Sequence, residues 1–297
     1  MEQTLKSVIE LTEETKVYLL SKSKTPVLPI KSLPLLNTKL WGLNRGRVVI
    51  VAGRTAMGKT ALMTQFAQDI SNNQDRTIYL SLEMPCKELI ARNFCRKFKI
   101  NNQEIEHGNF DKYIEKFDKF NKDSVADKIK YSDVLGANWS DIDTILNKME
   151  KTKPSVVFID HINHIKTSGI NDKAVIDDYL TKLKECAIKH NITFVIGAQI
   201  NRLGQGEKNP LPELHHLKGT GRLEEIADMC LLLFWPYYYD KSKPFDEYKI
   251  IIAKNRYGGT GIHDCKFLPQ YSLFEEKQEI DNRAKQYNDS EQVIWEE

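Results

Sequence analysis

Five cysteines, Cys86, Cys95, Cys186, Cys230 and Cys265, are spread over 297 residues without a C-x-x-C pair. An odd number at irregular spacing argues against a disulfide framework and reads as reduced thiols in a reducing compartment. No stretch approaches the roughly 18–20 uninterrupted apolar residues that cross a bilayer. The start, Met1-Glu2-Gln3-Thr4-Leu5-Lys6, lacks the basic opening and apolar stretch of a secretory signal. The expectation is a soluble, intracellular protein with no membrane partner. There is no internal repeat and no low-complexity tract. Glycine (15) and proline (10) are too few for a collagen-like chain. Net charge is small as well, +2, but unevenly placed. Residues 275–297 hold eight acidic against three basic residues, so residues 1–274 carry a net +7. A mildly basic body is compatible with a polyanionic partner.

What is present is enough apolar sequence, 41%, for a sizeable core in one large domain or two small ones. Residues 2–20 read as a helix with Leu5, Val8, Ile9, Val17 and Leu20 near one face, a stripe interrupted at 12–16. It ends in Ser21-Lys22-Ser23-Lys24-Thr25-Pro26, a linker composition. Such a helix either packs on its own domain or docks on a neighbouring subunit. From Arg47 on, short apolar runs (48–52, 77–82, 155–160, 193–198, 230–235, 248–253) alternate with helical segments (60–71, 87–98, 113–120, 140–149, 175–189). Strands apolar on both faces belong to a sheet covered on both sides, so the fold class is α/β with a mainly parallel sheet. Residues 99–130 carry no strand signal and read as a helical insertion. Gly258-Gly259 between strand-like runs in 248–274 predicts a terminal β-hairpin.

The chemistry begins at Gly53-Arg54-Thr55-Ala56-Met57-Gly58-Lys59-Thr60. This run fits G-x-x-x-x-G-K-[ST] at every fixed position, follows an apolar strand and opens a helix. The glycines let successive backbone N–H groups point at phosphate oxygens, and the helix N-terminus adds positive partial charge. Lys59 brings a compact cation to the β/γ oxygens, and Thr60 offers a hydroxyl to Mg²⁺. Ser155-Val156-Val157-Phe158-Ile159-Asp160 is a strand ending in a carboxylate, the residue type that organises that Mg²⁺. His161 and His164 follow as H-x-x-H, but without a helix or a third ligand nearby they do not point to zinc. Glu83, at the end of 77–82, is a candidate base for the attacking water, because strand ends of an open α/β sheet face the ligand crevice. Gln199, at another strand end, is a candidate γ-phosphate sensor. On residues alone, Glu83 also reads as a surface charge, Gln199 as a satisfied amide, and Lys254 with Arg256 as a solvated basic turn.

In this order the elements resemble the RecA-like motor domain of DnaB-like hexameric replicative helicases. The likeness spans residues 35–274 and rests on Gly53 to Thr60, Ser81-Leu82-Glu83-Met84, Phe158-Ile159-Asp160-His161, Gly197-Ala198-Gln199-Ile200-Asn201-Arg202, Leu217-Lys218-Gly219-Thr220-Gly221-Arg222-Leu223-Glu224 and Ala253-Lys254-Asn255-Arg256-Tyr257-Gly258-Gly259-Thr260-Gly261. The resemblance implies a P-loop ATPase using ATP (or another NTP) and Mg²⁺, with Glu83 as base and Gln199 as sensor. Arg256 becomes an arginine finger given to the next subunit, with Lys254 a second cation in trans. It implies 5′–3′ movement on single-stranded DNA by a homohexameric ring, in cytoplasmic replication machinery of bacterial or phage type or in an organelle, with a primase or loader as possible partner. DNA-facing loops correspond to 166–173 and 201–222, with Arg202, Lys208, Lys218 and Arg222 as contacts. His161-Ile162-Asn163-His164 departs from the tyrosine-containing run usual in that family. The organisation expected is an arm helix and linker (1–30), a motor domain (31–274) and an acidic polar tail (275–297). Too few residues precede position 35 for the family's helical N-terminal domain. Two alternatives stay open: a recombinase on the same fold, and a non-unwinding paralogue that binds ATP to load or recruit a partner.

Overall fold

In the computed structural model, residues 7–24, 27–73, 75–122, 128–166, 172–201, 211–217 and 221–277 are described. Their centre is a sheet whose middle strands are apolar on both faces. Strands β1 (Val48–Gly53), β4 (Val156–Asp160) and β6 (Met229–Phe234) are buried at every position, as a sheet covered on both sides requires. With β2 (Thr77–Ser81), β3 (Ile129–Asp133), β5 (Thr193–Gln199), β7 (Glu247–Asn255), β8 (Gly261–Leu268) and β9 (Leu273–Glu276) they form one nine-stranded sheet. Its order is β3-β2-β4-β5-β1-β6-β7-β8-β9. The first six run parallel, and the pairs from β6 to β9 are antiparallel. The expected α/β class and mainly parallel sheet are what the chain adopts.

Each face has its own core. On one, α3 (Lys59–Asn72) buries Leu62, Phe66 and Ile70 beside Leu36 and Leu40 of α2 (Pro34–Leu40), with Tyr248, Phe267 and Phe274 completing the layer. On the other, α8 (Asp172–His190) buries Leu180, Leu183 and Ala187, with Ile176 and Tyr179 packed against them, the face its periodicity predicts. A satellite of aromatic rings around Phe94 joins α4 (Cys86–Phe98) to α5 (Asn102–Glu106) and α6 (Ile114–Asn121). Helices α7 (Trp139–Thr152), α9 (Gly221–Ile226) and α10 (Pro236–Tyr239) complete the described elements.

Three sequence expectations need correcting. The segment at 99–130 is helical as read, but it delivers a parallel edge strand, β3, whose half-exposed, polar-rich sequence carries too short an alternation to signal it. The terminal hairpin of β7 and β8 acquires a third strand, β9, after a tight turn that closes with Ser272 in the left-handed region. The first helix, α1 (Val8–Lys24), runs through Ser21 to Lys24 instead of stopping at Leu20, since nothing before Pro26 breaks it. Residues 1–6, including Leu5, lie outside the described residues. In α1, Val8 and Ile9 are about 80% exposed, and Val17, Leu19 and Leu20 are more than half exposed.

Candidate active site

At the end of β1 the chain turns through Ala56 and Gly58, both at positive φ, and enters α3 at Lys59. Gly58 (φ 79°) admits no side chain. A Cβ there would lie 2.8 Å from Phe267 Cζ, so both conformation and space demand glycine. Lys59 is buried and donates from Nζ to the carbonyls of Gly53 and Arg54, each at 3.0 Å. Burial lowers its pKa, opposed by the charges of Asp160 and Glu83. Tyr248 braces the loop by donating its hydroxyl to the Met57 carbonyl. Arg54 lies over the Tyr238 and Tyr239 rings, at 5.4 and 5.6 Å from their centroids.

Asp160, at the end of β4, accepts the Tyr79 hydroxyl at 2.7 Å on Oδ2. Burial raises its pKa, and hydrogen bonds from Tyr79 and Thr60 pull the other way. Its Oδ1 is buried with no hydrogen-bond partner among the described residues. A hydroxyl and an orphaned carboxylate oxygen side by side are hard oxygen donors, so the Thr60–Asp160 pair fits a small divalent cation such as Mg²⁺. The neighbouring strand must pass close by. A Cβ at Gly197 would come within 2.9 Å of His161 Cβ and 3.2 Å of Asp160 Oδ1.

Glu83 follows β2, the strand beside β4. Its Oε2 lies 3.2 Å from His161 Nε2 and 3.8 Å from His164 Nε2. The His161 hydrogen bond is the main cause that holds the Glu83 carboxyl below its ordinary pKa. Burial lowers the pKa of His164, reinforced by His161. Gln199 ends β5 with its backbone N–H donated to Asn163 Oδ1 at 2.8 Å. Lys59, Thr60, Glu83, Asp160 and Gln199 thus line one cleft of about 310 Å³, together with Arg92 of α4 and a wall of Trp235, Phe267 and Pro269.

The cations at the end of β7 are elsewhere. Asn255 aligns with Met229, and Met229 with Val49, four residues before Gly53; at about 3.3 Å per residue that is roughly 13 Å back along the strands. There Lys254 Nζ donates to the Glu224 carbonyl at 2.6 Å, and its pKa is lowered by burial and by Arg256. Arg256, half exposed, donates to the Glu225 carbonyl at 3.3 Å and lies 3.7 Å from Asp228 Oδ1. Arg222 is bonded to Thr181 Oγ1 and Glu225, each at 2.8 Å. Arg202, Lys208 and Lys218 lie outside the described residues, as does most of both loops named with them. The cleft therefore gathers the P-loop, Glu83, Asp160 and Gln199, and leaves Lys254 and Arg256 apart. Sequence reading misses Tyr79, Arg92 and the aromatic wall. Arg92 alone carries a signal, as a cation nine positions after Glu83 on the helix that follows it.

Residues 31–276 match the family described as DnaB-like helicase C terminal domain. The chain belongs to that family. It is 27% identical over 242 residues to the replicative DNA helicase DnaC of Bacillus subtilis (strain 168), covering 78% of this chain and 53% of the relative. Among solved structures it is similar to the ATPase domain of a DnaB-like helicase, with a TM-score of 0.79 and 25% identity over 93% of this chain and all of that one. A DnaB-like replicative helicase described with its interactions with primase gives a TM-score of 0.77 and 26% identity, over 93% of this chain and 68% of that one. The fold of this DnaB-like domain is thus that of a RecA-like ATPase. The chain spans about half the length of the curated relative it matches. Among its described residues no helix is long and apolar enough to cross a membrane.

Proposed function

We propose that the chain is the motor of an ATP-driven replicative DNA helicase, moving 5′–3′ on single-stranded DNA as a homohexameric ring. The observation that carries this reading is a separation: the phosphate cradle and the Lys254–Arg256 pair sit at opposite ends of one sheet. An arginine roughly 13 Å back along the strands cannot reach its own cleft, whereas the same arginine on a neighbouring copy can. Head-to-tail contacts of this kind either close a ring or propagate a filament.

In this mechanism Lys59 exchanges the Gly53 and Arg54 carbonyls for the β/γ oxygens of ATP. Thr60 and Asp160 hold Mg²⁺, which supplies neutralising charge at those oxygens. Glu83 orients the attacking water and takes its proton, while Gln199 registers the γ-phosphate. The neighbour's Arg256 and Lys254 leave their carbonyls for the charge that develops in the transition state. Arg92 faces the cleft from within the same chain as a further contact for the nucleotide. Arg202, Lys208, Lys218 and Arg222 follow the DNA backbone without reading bases. Residues 1–30 form an arm whose exposed apolar side chains dock on the adjacent copy. Residues 31–274 form the motor, and 275–297 an acidic tail. A primase or loader engages the ring in the cytoplasm.

Steady-state ATPase with and without single-stranded DNA, on particles imaged with an ATP analogue, tests the reading. DNA-stimulated turnover by rings supports it. Assembled rings that turn over no ATP with DNA present would overturn it in favour of a nucleotide-binding paralogue, and filaments in favour of a recombinase.

A further inference from the structure

The H-x-x-H run after Asp160 lacks a third ligand in the sequence, but the sheet supplies one. β2 and β4 are neighbours with Ser81 aligned to Asp160, so Glu83 beyond one strand meets His161 and His164 beyond the other. Glu83 Oε2 faces both imidazole Nε2 atoms, at 3.2 and 3.8 Å. One donor atom from each of the three residues lies within 4.8 Å of the others. We propose that Glu83, His161 and His164 form a second cation site, for zinc or a metal of similar softness, whose occupation arrests ATP hydrolysis.

The geometry is close to what such an ion needs. Zinc bonds of about 2.0–2.1 Å in a tetrahedron set ligand atoms about 3.3 Å apart. The His161–Glu83 pair is already there. Closing the rest asks for movement from Glu83 and His164, whose side chains are 45% and 40% exposed, while His161 is fixed at 1%. Two imidazoles and one carboxylate favour zinc, nickel or cobalt, whereas the adjacent oxygen donors of Thr60 and Asp160 favour Mg²⁺. The two sites therefore discriminate by donor chemistry at close quarters. Three protein ligands leave a fourth position open towards the cleft.

The site is built to release its ion. A metal on His161 Nε2 puts the ring proton on Nδ1, which is buried and has no acceptor among the described residues. An outer-shell acceptor ordinarily adds about 10–100-fold in affinity, so its lack predicts reversible binding. The functional consequence rests on Glu83 being the base. A carboxylate that donates its electron pair to a metal cannot accept a proton from water, so hydrolysis stops while the phosphate cradle persists.

The test uses Co²⁺ as a spectroscopic probe on the full chain, then zinc in a metal buffer with excess Mg²⁺ and ATP. The expected result is one Co²⁺ per chain with tetrahedral bands of nitrogen and oxygen ligation, displaced by zinc and weakened at least tenfold by His164→Ala. Glu83→Gln gives the same loss of binding should His164→Ala fail to fold. Zinc should inhibit ATPase reversibly on addition of a chelator. His164→Ala, normalised to its own zinc-free rate, should need at least tenfold more zinc. A thiolate charge-transfer band, binding unchanged in both variants, or no binding would overturn the site. If the chain turns over no ATP under any condition, the motor reading fails while the Co²⁺ titration still decides the metal site.

Discussion

At the carboxyl ends of β1, β2, β4 and β5 the chain crowds Lys59, Glu83, Asp160 and Gln199 into one cleft, whereas the far end of β7 presents Lys254 and Arg256 against backbone carbonyls. The first end has buried, mutually coupled charges, with Lys59 lowered by burial and Asp160 raised by it. The second end has a half-exposed guanidinium whose nearest carboxylate is 3.7 Å away. Neutral carbonyls are weaker partners for a cation than phosphate oxygens, because charge-assisted hydrogen bonds are roughly twice as strong as neutral ones. Both ends are therefore poised to exchange a carbonyl for a phosphate, one within the chain and the other across a seam between copies.

The comparison breaks most visibly at Arg256. Arg256→Ala should lower ATP turnover by about 10³–10⁵-fold, the range of other arginine fingers, with nucleotide affinity nearly unchanged by equilibrium titration. Mixing it with Lys59→Ala sharpens the result, because half-sites from the two variants combine into intact ones. Partial recovery of turnover is expected, and no recovery in assembled particles would sink trans catalysis. Next in size, Glu83→Gln should cost about 10²–10⁴ in turnover as the loss of a general base, with ATP binding kept. Here mixing with Lys59→Ala should restore far less, since the base belongs to the same copy as the cradle.

Why one end is more legible than the other follows from how each is built. The P-loop, Asp160 and Gln199 are read from contiguous residues at strand ends, where local sequence and position coincide. Arg256 and Lys254 are assigned through resemblance, because a basic turn looks the same whether it serves a neighbour or faces water. Tyr79 hides as an ordinary strand residue, since its hydroxyl meets Asp160 only after β2 and β4 align. The same non-local pairing brings Glu83 to His161 and His164, a meeting that sequence spacing cannot show. β3 and β9 carry little signal because each is a short strand beside a stronger one.

Packing offers a milder contrast. At the cleft end, Gly197→Ala places a methyl 2.9 Å from His161 Cβ and should cost about 1–3 kcal/mol by overpacking. At the other end, a Cβ at Gly259 meets nothing within 4 Å, so Gly259→Ala should stay within about 0.5 kcal/mol. Denaturant midpoints compare the two directly. Equal losses would mean that the crowding at the cleft is not specific to it.

The smallest effect is expected away from both ends and serves as their control. Glu276 of β9 accepts the backbone N–H groups of Leu35 and Leu36 and pairs with the buried His263 at 3.0 Å. Burial pushes its carboxyl pKa up, but the His263 hydrogen bond and charge, with those N–H donors, outweigh burial and hold it below the ordinary 4.5. A folded-state value below the unfolded one means that the stabilisation is full above the ordinary glutamate range and is lost as pH falls through the lowered value. Glu276→Gln should therefore lose about 1 kcal/mol near neutral pH, and the gap to the parent should close as acid protonates the carboxylate. Urea titrations of both proteins across that range measure it. Because the joint ties α2 to β9 and touches neither half-site, the variant should combine with neither Lys59→Ala nor Arg256→Ala in any way the parent does not. A change in that complementation would show that the edge of the sheet, and not its two ends alone, sets how copies meet.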